Sequence, residues 1–334
     1  MRNKMLKVMT VAAATSLGFG LSALSSGAAG MTGAKYFACS SGGALSKVSV
    51  LGHSCPAGAK AVSGNFAGAD FSNANLTGAN LTGATLKTTD LYSVTSGAII
   101  GKPASLPAGW QLIDKYLVGP SAVLAGANFA HANFTKANLT GASLYGANLT
   151  DANFTKANLT NVSLSKARLT GATFTGAILA GVISAYEKGR PAALPKNWQL
   201  VNGNYEGNVV EYLVGPKASI GGAQLGGSQF QKLNLSGIYL AGARLVGSTF
   251  AGSRIIKADL ASANLQEVDF SNANLTGTNF TNGDFEGANF TSANFTNANL
   301  TGARLLSVAG LGTAKFTGAT CPDGVVFGTL GANC

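Results

Sequence analysis

Residues 263–304 read ANLQEVDFSNANLTGTNFTNGDFEGANFTSANFTNANLTGAR. A large apolar side chain returns at every fifth place: Leu265, Phe270, Leu275, Phe280, Phe285, Phe290, Phe295 and Leu300. Ala usually stands two places before it, Asn or Asp one place before, and Thr or Ser one place after. An α-helix would send successive fifth residues around its surface, and a flat strand would put them on alternate faces. A period of five held over dozens of residues is therefore the mark of a repeat architecture.

The same register fills three blocks, Phe66–Leu91, Leu124–Leu179 and Ile220–Leu305. They hold 36 repeat centres, each Leu, Phe or Ile, and the place two before is Ala in 25 of them. A second inward position must therefore be small. The other three places are mostly Asn, Asp, Thr, Ser, Gly and Lys, which suit solvent and turns.

With motifs such as ANLTG at Ala74–Gly78 and ANFTK at Ala132–Lys136, the chain resembles the pentapeptide repeat family and its A(N/D)(L/F)xx signature. The resemblance spans about two thirds of the chain. It implies an all-β fold, a right-handed quadrilateral parallel β-helix in which four repeats make one coil. At the ~4.8 Å strand spacing, nine coils would stack into roughly 43 Å of prism. Stability is then expected to sum over neighbouring coils.

Around the repeats the chain divides as follows. Residues 1–30 read as a signal peptide: Arg2, Lys4 and Lys7 open it, Val8–Leu24 is a short apolar run, and Ser26–Ala29 offers small residues for cleavage. The competing reading is an N-terminal anchor, but the run is too weakly apolar for a spanning helix. Residues 31–63 form an N-terminal cap with Cys39 and Cys55, and 306–334 a C-terminal cap with Cys321 and Cys334. The repeats proper, 64–91, 122–179 and 218–305, hold no Cys. With an export signal, two flanking pairs read as disulfides. Three connectivities are open, and proximity favours Cys39–Cys55 and Cys321–Cys334. Such ends would cover the unpaired edges of an open β-helix. A metal reading has only His53 nearby and no zinc spacing. One extra residue falls between Leu305 and Leu311, after which Phe316, Cys321 and Val326 keep the period. At Leu233 and Ile238 the small place turns large, which marks a wider coil or a slip in register.

Two interruptions, 92–121 and 180–217, are copies of one another. GKPASLPAGWQL at Gly101–Leu112 answers GRPAALPKNWQL at Gly189–Leu200, and both reach YLVGP, at Tyr116–Pro120 and Tyr212–Pro216. They resemble inserts of exported bacterial pentapeptide repeat proteins. The two Trp of the chain, Trp110 and Trp198, hold the same place in each copy. One reading is an excursion that packs Trp and Leu onto a prism face. The other is a pair of projecting sites in which Trp110, Tyr116, Trp198 and Tyr212 bind a partner.

Catalytic chemistry is not legible, and no catalytic residue, metal or cofactor is expected. No G-x-S-x-G, H-E-x-x-H or phosphate-binding loop occurs. His53 and His131 are far apart, and His131 takes an outward repeat place. Asp259, Asp269 and Asp284 fall on the Asn/Asp place, so a glycosidase-like carboxylate pair has little to stand on. Triplets such as Asn138–Thr140 follow from the repeat and do not signal glycosylation.

The formal charge is +10, but the three blocks carry −1, +3 and 0. Some members of the family mimic duplex DNA on topoisomerase, which requires an acidic rod that these blocks lack. Nucleic-acid binding would require a basic stripe, and Lys136 and Lys156 do not make one. Short ladders such as Thr135, Thr155 and Thr175 raise an ice- or polysaccharide-binding face, but they are brief and change faces. The expectation is an exported, non-enzymatic scaffold with a protein or cell-envelope partner, no nucleic acid and no stable membrane span. The alternative is a topoisomerase-directed DNA mimic.

Overall fold

The computed structural model describes residues 66–185, 188–205 and 208–328, and the backbone alone of 37–41, 44–49 and 60–61. The expected signal peptide, His53, Cys55, Cys334 and the Cys39 side chain lie outside the described residues. The contacts divide into two units. Residues up to Ala127 together with Ala137–Ser143 form one, and Asn128–Lys136 with the chain from Leu144 onward form the other.

One five-residue repeat explains the coil, because each of its five backbone N–H groups has a distinct partner. Around Leu76, the Ala74 N–H closes a turn onto the Phe71 carbonyl (2.9 Å). The Leu76 N–H donates to the Thr95 carbonyl (2.8 Å) and the Gly78 N–H to the Gly97 carbonyl (2.7 Å), both one coil on. At the next coil, the Thr95 N–H donates back to the Ala74 carbonyl (2.9 Å). The remaining donor, the Thr77 N–H, is taken by the side chain of Asn75 (3.0 Å). This is why the place before the centre is Asn or Asp: its side chain caps the turn that follows. Thr at the next place adds a hydroxyl on the same oxygen, as Thr82 does to Asn80 (2.7 Å). The last place takes positive φ, Gly78 at 72° and Asn73 at 61°, so Gly and Asn recur there.

Parallel bridges join residues twenty apart, such as Asn75 to Thr95 and Asn133 to Asn153. With one bridge per five residues, each coil has four sides. The spacing between strands is also a stacking distance for rings. In the second unit Phe134, Phe154 and Phe174 stack at 4.6 and 4.9 Å, each pair 2° from parallel. Phe230, Phe250 and Phe270 continue this arrangement further along the unit. In the first unit the core is Phe71, Leu76, Leu81, Leu86, Leu91, Val94, Ile99 and Leu117, all buried. At several places where the small residue is Ser or Thr, though not at Ser253, the hydroxyl returns to a carbonyl of the neighbouring coil. Ser248 donates to the Leu225 carbonyl (2.6 Å) and Thr89 to that of Phe66 (2.7 Å). Leu233 and Ile238 do not shift the register: Asn234 still bridges Arg254, and Tyr239 bridges Asp259.

The ladder runs further into the interruptions than the sequence boundaries at 92 and 180 suggest. Thr95, Ile100 and Ser105 still bridge Asn75, Asn80 and Thr85. In the second unit Ile183, Lys188 and Ala193 bridge Ser163, Arg168 and Thr173. Only one side of each coil is then replaced, in each case by an antiparallel hairpin. Strands β4 (Gln111–Ile113) and β5 (Tyr116–Val118) form the first, β6 (Gln199–Tyr205) and β7 (Asn208–Val214) the second. Labels β1 (Phe37–Ser41), β2 (Ala44–Ser49) and β3 (Lys60–Ala61) denote an antiparallel sheet in the order β2-β1-β3 within residues 31–63. Near the C-terminus the extra residue falls later than between Leu305 and Leu311: Ala309 still bridges Asn289 at a separation of 20, and a 3-10 turn at Leu311–Thr313 then absorbs it, so that Lys315 pairs with Asn294 at a separation of 21.

Candidate functional site

Each hairpin is fixed to its coil by a serine placed where the repeat calls for a large apolar residue. Counting five from Leu91 gives Ser96, and five from Leu179 gives Ser184. Both are buried. Each hydroxyl grips the backbone of the Leu in YLVGP. The Leu117 N–H donates to Ser96 Oγ, and the Leu213 N–H to Ser184 Oγ, both at 2.9 Å. In return each hydroxyl donates to the carbonyl of the same Leu, at 3.4 and 3.3 Å. A Leu in place of Ser would fill the coil but leave that buried N–H unpaired.

The paired Trp and Gly of the two copies have one explanation. Gln111 pairs with Val118 and Gln199 with Val214, which sets Trp110 opposite Gly119 and Trp198 opposite Gly215. A Cβ on Gly119 would come within 2.2 Å of the Trp110 ring, and one on Gly215 within 2.4 Å of the Trp198 ring. The indole therefore lies flat on a bare peptide, a pairing that compensates a strand glycine with an aromatic face. Both Trp are half-buried and touch the core of their own unit.

The aligned tyrosines part company. The ring of Tyr116 lies against Gly97, where a Cβ would stand 2.9 Å from it. The second copy has Ala185 at the place of Gly97. There Tyr212 is buried, faces Gly203 of the longer hairpin, and accepts the Gln224 N–H on its hydroxyl (3.2 Å). Beside it a groove of about 470 Å³ opens, lined by residues 183–185, Tyr212, 219–224, Tyr239 and Ala241. The structure thus places each predicted aromatic in a hairpin. The groove itself was missed, and the signals that could have found it are the Ala185 for Gly97 exchange and Tyr239 standing on an Asn/Asp place.

Other candidates resolve locally. His131 sits outward with Nδ1 3.6 Å from Asp151. Arg304 meets Glu286 (2.7 Å) and Asp284 (3.4 Å) on an exposed face. Among the described residues no His, Cys, Asp and Glu converge on a metal site, and no helix is long and apolar enough to cross a membrane. Cys321 is fully buried, next to Thr320, which bridges Asn299.

Comparisons with known proteins agree with this repeat. The chain is similar to a pentapeptide repeat protein of Nostoc sp. strain PCC 7120, HetL, involved in heterocyst differentiation regulation, at 23% identity over 78% of this chain and 92% of that one, TM-score 0.35. QnrB1, a plasmid-mediated fluoroquinolone resistance protein, matches at 14% identity over 68% and 91%, TM-score 0.22. A pentapeptide repeat protein of the Arabidopsis thaliana thylakoid lumen is 32% identical over 25% of this chain and 64% of that one, TM-score 0.13. No curated protein sequence matches. The profile for pentapeptide repeats matches eight copies, at 57–92, 121–151, 152–183, 234–272 and 269–305. These segments cover just over half of the residues, and the chain belongs to the pentapeptide repeat family.

Proposed function

We propose that this protein is a non-enzymatic interaction scaffold that works outside the cytoplasm, with a protein or another cell-envelope component as partner. The observation that carries the reading is the pair of hairpins. A plain repeat could close the same side of the coil, yet both hairpins are built and anchored alike, through Ser96 and Ser184 and through Trp on Gly. A matched hairpin in each unit suits a docking role, with Trp110 and Trp198 packed at the bases and Tyr116 and Tyr212 supporting them from within. Export is supported by the basic, then apolar, then small-residue order of 1–30, and by Cys321, which we read as disulfide-bonded. We assign Cys334 as its partner and Cys39 with Cys55 as the other pair.

The outward faces favour this over a DNA mimic. Their surface is mostly Asn and Thr tied into turn caps, and the acidic residues of the third block are matched one for one by basic ones. A supercoiling assay with purified bacterial topoisomerase separates the two. The scaffold reading predicts no change in supercoiling rate at any ratio of this protein to enzyme. Inhibition, or protection from a quinolone, would overturn it in favour of the mimic.

A further inference from the structure

We infer that the groove beside the second hairpin binds a neutral sugar ring of a glycan, with the ring of Tyr239 as its stacking platform. The floor is the strand at Ser219, which bridges Ile183 on one side and Tyr239 on the other. The walls are thus two strand spacings apart, about 10 Å between backbones. Beyond Ser219 the floor is Gly221 and Gly222, and around Gly222 a Cβ would meet nothing within 4 Å. Gly221 is bare for a different reason: a Cβ there would stand 2.5 Å from the Tyr239 ring. Tyr239 is held against this peptide while remaining 46% exposed. Most repeats have Asn or Asp in its place, so the coil does not require an aromatic there.

The two copies indicate the size of the occupant. In the first, the phenol ring of Tyr116 lies on Gly97 at the edge of the coil. In the second, Ala185 denies that position, Tyr212 is drawn onto Gly203 and Gln224, and the corresponding space is the groove. A six-membered ring is therefore the natural fit. The lining sets its polarity. Among the described residues that form it none is charged, while Tyr239, Ser219 and Gln224 bring uncharged hydrogen-bonding groups. A flat apolar face ringed by hydroxyls is what an uncharged pyranose presents, and an aromatic platform with a few polar groups complements it. The groove is open to solvent, which admits a ring within a longer chain.

The test is a titration of ¹⁵N-labelled protein with maltohexaose, cellohexaose and xylohexaose up to about 10 mM, a range that covers millimolar affinity. At least one should shift the Gly221 and Gly222 amides saturably. Tyr239→Asn restores the usual repeat residue, so its melting curve should match the parent while its affinity falls at least ~10-fold. Tyr145→Asn removes a tyrosine that is also exposed but lies outside the groove, and should bind as the parent does. The inference falls if no hexasaccharide moves these amides, if Tyr239→Asn binds unchanged, or if p-cresol binds and the sugars do not. Binding in solution is read independently of where the protein works, so failure here leaves the proposed location standing, and the reverse.

Discussion

Ser184→Ala is the most informative single change in the scaffold. It removes one oxygen and leaves a cavity no larger than that atom. What remains is the N–H of Leu213, a residue with no exposed surface, deprived of its acceptor at 2.9 Å. Its carbonyl also loses the weaker bond at 3.3 Å. An unsatisfied buried donor costs about 1–3 kcal/mol. At about 1.4 kcal/mol per factor of ten, local opening of the hairpin base should rise by roughly 5- to 150-fold. The hairpin keeps other ties, from the Asn204 N–H to the Gln224 carbonyl (3.1 Å) and from Ser228 to the Asn202 carbonyl (3.1 Å). Opening should therefore be confined to the YLVGP end and leave the coil intact. Amide hydrogen exchange reads this directly: Leu213 and its strand neighbours should exchange faster by that factor, while amides of the coils from Leu240 onward do not change. Ser96→Ala should do the same to Leu117. If Leu213 exchanges as in the parent, the serine is not the anchor and the argument from the paired hairpins fails.

Gly215→Ala should lift the indole of Trp198 from the backbone, costing about 1–3 kcal/mol and shifting Trp fluorescence to the red; adding Trp198→Ala should relieve most of that cost, and full additivity would contradict the packing. Phe154→Ala, in the middle of the Phe134–Phe174 stack, should lower stability by about 3–5 kcal/mol in chemical denaturation, and a loss under about 1 kcal/mol would refute the tight interior. Arg304→Ala breaks exposed pairs to Glu286 and Asp284, and should cost less than about 1 kcal/mol in the same assay.

The coil was legible because its cause is local. Every fifth Leu or Phe, the small residue two before and the Asn or Asp one before each answer a need inside one repeat, so their order reports the fold. The interruptions were legible as copies but not as hairpins. Their strands are short, and in the first the turn is formed by Asp114 and Lys115, both at positive φ without glycine. The limits of the excursions were set too wide at 92 and 180, because Thr95, Ile100 and Ile183 stay in the ladder without a large apolar centre beside them to mark it. Ser96 and Ser184 were passed over for the same reason. A polar residue on an inward place reads as the end of the repeat until its partner, an N–H more than twenty residues away, is seen. The groove depends on the difference between Gly97 and Ala185, a single methyl group whose effect appears only once Tyr212 is placed.

The central claim, an interaction scaffold that works outside the cytoplasm, is tested most directly by the state of the chain recovered from its native host. Fractionation followed by non-reducing mass spectrometry should find a chain that begins near Met31, lies outside the cytoplasm and has all four Cys oxidised. A full-length, reduced chain in the cytosol would contradict the account.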